Sequence, residues 1–174
     1  MAEVKRKVFI SYYHHDDEGY RDEFEELFGL LFINKCVNDG DIDSDLGANY
    51  IKRLIQTGYL TDTSVQVVLI GTNTWKRKHV DWEISAALSS KVGGASGLLG
   101  LLLPTYPGYK ENQYTSGTLP PRFLDNLESG YASLYKWTKS EANITKYIND
   151  AFERKSKNSD LIRNSRLQFE RNRS

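Results

Sequence analysis

Glu83 is the residue whose type and surroundings most invite chemistry. It sits in "VVLIGTNTWKRKHVDWEISAAL", Val67 to Leu88, where an apolar run breaks into a polar loop and restarts with helical spacing. An acid in the first turns of a helix interacts favourably with the helix dipole, by about 0.3–1 kcal/mol. The same carboxylate can stabilise positive charge developing on a ribosyl carbon, as glycosidase carboxylates do. Trp75 and Trp82 flank it in sequence. Aromatic walls of this kind hold planar bases and pyridinium rings.

The other chemistry-bearing groups are weaker candidates for independent sites. His14, His15, Asp16 and Asp17 form a polar cluster after the first apolar run, and imidazole with carboxylate suits zinc or iron. Adjacent residues rarely share one ion, and the remaining histidine, His79, is far off in sequence, so no metal is expected. These residues are read as the lining of a nucleotide pocket. Asp39, Asp41, Asp43 and Asp45 resemble the opening of a calcium loop, but Ser44 and Tyr50 stand where such a loop needs Gly and a bidentate Glu. That run is read as a solvated loop, one of whose carboxylates reaches a ligand. No G-x-G-x-x-G, P-loop or G-x-S-x-G occurs, so the usual phosphate cradles and the serine elbow are absent.

The elements that must position these groups follow from patterning. The chain has 174 residues, 39% of them apolar, with 7 Phe, 11 Tyr and 3 Trp, enough for a single packed domain. Lys+Arg and Asp+Glu are both 23. With no net positive field, sequence-independent nucleic-acid binding is not expected. The lone Cys36 rules out an intramolecular disulfide and is read as a buried thiol. "MAEVKRKVFISYY" lacks the apolar core of a signal peptide, and "LLGLLLP" is too short to cross a bilayer. A soluble cytoplasmic protein is expected.

"KVFISYY" reads as a buried strand, and Tyr20, Phe24, Leu27, Phe28 and Leu31 mark a helix after the "HHDDEG" loop. "INKCVND" is a weaker strand, followed by a second helix with Ile51, Leu54 and Ile55 inward and Gly58 as its stop. "SVQVVLIG" suits a central parallel strand covered on both faces. A third helix spans 79–90, "LLGLLLP" is a fourth strand, and 104–122 is a long polar loop. "YASLYKW" is a fifth strand, and Ile144, Tyr147, Ile148, Ala151 and Phe152 mark a last helix. This alternation predicts an α/β, flavodoxin-like fold: a five-stranded parallel sheet of order 2-1-3-4-5 with helices on both faces. Ligands then bind beyond the carboxyl ends of strands one and three, which brings Glu83 near the cleft. Phosphorelay receivers share this architecture but need an Asp at the end of strand three, where Gly71, Thr72 and Asn73 stand. The segment 156–174 reads as a basic, solvated tail or a helical extension to a domain spanning 1–155.

"VFISYYHHDD" together with "VVLIGTNTWKRKHVDWEI" resembles the TIR-like domains that include the ThsB proteins of bacterial Thoeris antiphage systems. The resemblance covers 7–155. It implies an enzyme that cleaves the nicotinamide–ribose bond of NAD, with NAD as substrate, no separate cofactor, and an ADP-ribose-type product, cyclic or linear. Glu83 matches the helix-borne glutamate of such enzymes, and Ser11 to His14 match the nucleotide-contacting loop. The implied substrate-binding set is Ser11, Tyr12, Tyr13, His14, Asp45, Trp75, His79 and Trp82. Many relatives carry Trp four residues before the glutamate, where this chain has His79, and Trp82 is read as a compensation. The implied partners are NAD and a downstream effector reached through a diffusible nucleotide, with self-association into a homo-oligomer and neither nucleic acid nor membrane. Two other readings stand beside it: a non-catalytic TIR-like self-assembly module, and a nucleoside deoxyribosyltransferase-like enzyme.

Overall fold

Strands form where β-branched and long apolar residues run together. In the computed structural model, which describes residues 5–34, 63–89 and 94–174, these are β1 (Lys7–Ser11), β2 (Ile33–Asn34), β3 (Val65–Ile70), β4 (Gly97–Leu102) and β5 (Ala132–Lys136). All pair in parallel, in the order β2-β1-β3-β4-β5. Four strands are five or six residues long, and β2 is a two-residue edge. Every residue of β3 and β4 is buried, as a run that is apolar apart from Gln66 requires in a sheet covered on both sides.

The helices are α1 (His14–Phe28), α2 (Lys78–Leu88), α3 (Pro121–Ser129) and α4 (Glu141–Lys157). On one face, Phe24 and Phe28 of α1 and Ile144, Ile148 and Ala151 of α4 pack on Val8, Ile10, Val67 and Leu101. On the other, Val80, Ile84 and Leu88 of α2 and Phe123 of α3 pack on Val68, Ile70, Leu98 and Leu102. The expected parallel α/β layering is thus present. Among the described residues no helix is long and apolar enough to cross a membrane.

Four expectations change. His14 to Asp17 form the first turn of α1 instead of a loop, because the helix starts directly after Tyr13. The supposed loop 104–122 ends in α3, which has Pro121 at its start and Gly130 with φ 91° at its C-cap. The basic segment after α4 is no solvated tail: it turns through Ser159–Leu161 and packs back on α2 and α3. Helix α2 itself runs Lys78–Leu88 instead of 79–90. Cys36, the acidic run Asp39 to Asp45 and the helix marked by Ile51, Leu54 and Ile55 lie outside the described residues.

Candidate functional site

The topology delivers the start of α1 and the start of α2 to the carboxyl ends of β1 and β3. Between them is a cavity of about 330 Å³ lined by Tyr12, Tyr13, His14, His15, Arg77, His79 and Val80. Its walls are aromatic. The Tyr12 and His14 rings lie 4.1 Å apart, Tyr13 and His15 stack at 5.7 Å, and the Arg77 guanidinium sits 4.2 Å from the centre of the Tyr13 ring. Two helix N-termini and Arg77 face the same opening, an arrangement that favours an anionic ligand.

Two adjacent carboxylates in the first turn of α1 meet the loop after β3. Asp16 Oδ2 accepts a hydrogen bond from Asn73 Nδ2 at 2.8 Å, and its Oδ1 lies 2.8 Å from His15 Nδ1. These two contacts hold the Asp16 carboxyl below the usual carboxylate range. Asp17 is buried, and burial, reinforced by the neighbouring Asp16 charge, pushes its carboxyl up to about 6. It packs against Gly71, where an added Cβ would come within 2.6 Å of Asp17 Oδ2. The strand-three loop therefore needs glycine at that point.

Of the predicted residues, Tyr12, Tyr13, His14 and His79 meet in this cavity. The others do not. Ser11 ends β1 fully buried, and its hydroxyl accepts a hydrogen bond from Gln66 Nε2 at 2.8 Å, within the sheet. Trp75 lies in the 3₁₀ turn Thr74–Lys76 and lines a second cavity, about 760 Å³, with Leu167 to Ser174. Trp82 is 3% exposed and its indole N–H donates to the Phe169 carbonyl at 2.7 Å. Its ring nevertheless meets His79 edge-on at 5.3 Å, so it backs a residue of the cavity without lining it. Asp45 is outside the described residues.

Glu83 lies one helical turn beyond His79 and is 5% exposed. Residues four apart share a helix face, so it lies on the side of α2 that carries His79, but it is not itself among the lining residues. His15, read with its polar cluster as pocket lining, does line the cavity, whereas Arg77 was not among the expected site residues. The "WKRK" run pointed to basic residues in this loop without saying which of them turns toward the cavity. Among the described residues no three His, Cys, Asp or Glu side chains gather to share a metal ion.

The family described as Thoeris protein ThsB, TIR-like domain, matches residues 9–106, more than half of the chain. That span takes in β1 from Phe9 onward, α1, β2, β3, α2 and β4, and with them every residue lining the 330 Å³ cavity. No curated protein matches the sequence.

Proposed function

The chain belongs to the TIR-like domain family of Thoeris ThsB proteins, and on that footing we propose that it cleaves NAD at the nicotinamide–ribose bond and releases an ADP-ribose-type signal in antiphage defence. The observation that carries this reading is the meeting of Tyr12, Tyr13, His14, His79 and Arg77 in one cavity at the carboxyl ends of β1 and β3. Aromatic rings suit the planar ends of a dinucleotide, and a guanidinium suits its diphosphate.

In the proposed reaction the bond from the ribosyl C1′ to the nicotinamide nitrogen breaks, and its electron pair stays with the ring, which leaves neutral. Positive charge builds on the ribosyl carbon, and the Glu83 carboxylate stabilises it through a preorganised negative charge. Water then gives linear ADP-ribose; a hydroxyl of the adenosine ribose gives a cyclic isomer. For Glu83 to meet that carbon, its buried carboxylate must become accessible from the cavity when the ligand binds. The product acts on a separate effector.

A second reading is favoured by one observation. Glu83 is buried and outside the cavity lining, as a purely structural carboxylate would be, and the domain would then be a non-catalytic binding module. The test is to incubate the protein with NAD, and in parallel with nucleosides, and identify products by mass spectrometry. Nicotinamide with linear or cyclic ADP-ribose supports cleavage of NAD. Turnover of nucleosides alone assigns the chain to nucleoside chemistry, and NAD binding without turnover, in extract of phage-infected cells as well as in buffer, assigns it to the binding module.

A further inference from the structure

The segment that follows α4 runs along α2 from its C-terminal end to its first residue. Asn164 Nδ2 donates to the Ser85 carbonyl at 3.0 Å, and Gln168 Nε2 to the Ser85 hydroxyl at 3.1 Å. One turn earlier on the helix, the Phe169 N–H donates to Asp81 Oδ2 at 2.9 Å while its carbonyl accepts from Trp82. At the helix start, Asn172 Oδ1 accepts from the Lys78 N–H at 2.9 Å, and the Arg173 N–H donates to the Lys76 carbonyl at 2.8 Å.

Those last two bonds fall on either side of Arg77. Helix α2 begins with Arg77 at its N-cap in extended conformation and without a side-chain cap of its own. Arginine has no acceptor to offer an exposed helix N–H. Asn172 supplies that acceptor from 94 residues downstream. Asn is among the preferred side chains for the task. With the peptide group before Arg77 held by Arg173 and the one after it by Asn172, the backbone that aims the guanidinium into the cavity is fixed.

We propose that the C-terminal strap is a positioning element of the nucleotide cavity: Asn172 and the Arg173 amide set the backbone about Arg77, and Arg77 holds the diphosphate of a dinucleotide. This rests on the nucleotide reading above. Asn172 acts through Arg77. A strap that merely stiffens the fold would lower stability without changing which ligands bind.

The test uses the full chain with Asn172→Ala and Asn172→Asp, each first checked for a cooperative thermal transition. Amide hydrogen exchange reads the helix start, and calorimetry compares ADP-ribose with adenosine, which lacks the diphosphate. Asn172→Ala should speed exchange at Lys78 and weaken ADP-ribose by about five-fold, the scale of a lost N-cap, while leaving adenosine unchanged. Asn172→Asp should restore slow exchange at Lys78, because its carboxylate accepts the same bond. In an Arg77→Ala background, Asn172→Ala should cost no further ADP-ribose affinity. Unchanged exchange at Lys78, or an equal loss for both ligands, overturns the proposal. If the unmodified protein binds no ADP-ribose, the nucleotide reading falls and the assignment to Arg77 with it. The Lys78 exchange then still tells whether the strap holds α2.

Discussion

Arg122 is the bulkiest of the fully buried side chains, and replacing it tests how α2, α3 and the strap are held together. Its Nε and Nη2 donate to the two oxygens of Asp81 at 3.0 and 3.3 Å, and its Nη1 donates to Asn164 Oδ1 at 3.0 Å. The side chains of this pair are 0% and 1% exposed. Arg122→Met fills a similar volume but leaves the Asp81 carboxylate buried with the Phe169 N–H as its remaining described hydrogen-bond donor and only the partly exposed Arg166 charge nearby. Removing one partner of a buried ion pair costs about 3–5 kcal/mol, because the other charge stays uncompensated. With a urea slope of about 2 kcal/mol per M, a loss of about 4 kcal/mol moves the unfolding midpoint down by about 2 M. The companion variant Asp81→Leu/Arg122→Met removes both charges. It should lose only about 1–3 kcal/mol, for the Phe169 N–H left without its acceptor. The assay is urea unfolding followed by tryptophan fluorescence, in which Trp82 also reports on the strap. An Arg122→Met protein within about 1 kcal/mol of the unmodified chain refutes the reasoning.

Two further outcomes are expected. Asp17 has its folded-state carboxyl raised from 3.8 to about 6, so the folded protein holds this proton more tightly than the unfolded chain. Its contribution to stability therefore falls as pH rises through that window and is constant above it. Asp17→Asn should gain stability relative to the unmodified protein from about pH 4 to pH 6 and level off above, in urea titrations across pH 4–8; a gain that is the same at every pH contradicts this. At Gly97 a Cβ would collide with the Ala151 carbonyl of α4, backbone against backbone. Gly97→Ala should cost about 1–3 kcal/mol in thermal unfolding, while Gly117→Ala, whose Cβ meets nothing within 4 Å, should stay within about 0.5 kcal/mol.

Local patterning carried much of the architecture into view. β4 is a continuous apolar run and β3 is one apart from Gln66, as covered strands are. The last helix showed its stripe through Ile144, Ile148 and Ala151. Helix α3 escaped because Pro120 and Pro121 read as loop punctuation, although Pro at a helix start and Gly130 just past its end are boundary signals. The strap escaped for a different reason. Its hydrogen bonds to α2 and the turn before it join residues 79 to 97 positions apart, and no periodicity within the segment reports on them.

The site was legible in the same uneven way. Tyr12, Tyr13 and His14 link the end of one strand to the start of the next helix, so topology alone sends them to the cleft. Trp82 was assigned to the site because it adjoins Glu83 in sequence. Adjacent residues on a helix point in directions about 100° apart, and the indole turns toward Phe169 instead. His79, four residues from Glu83, shares its face. Trp75 is carried to the second cavity by the 3₁₀ turn that precedes α2. Neither direction can be read from neighbours in the chain.

The central claim is that Glu83 is catalytic. The direct measurement is nicotinamide release, quantified by mass spectrometry in bacteria challenged with phage and expressing either the unmodified protein or Glu83→Gln at matched soluble levels. The account predicts that infection drives release only with the intact carboxylate, and that Glu83→Gln lowers it by about 100-fold or more, the scale of losing a preorganised charge at a transition state. Equal release and equal protection with Glu83→Gln would contradict it.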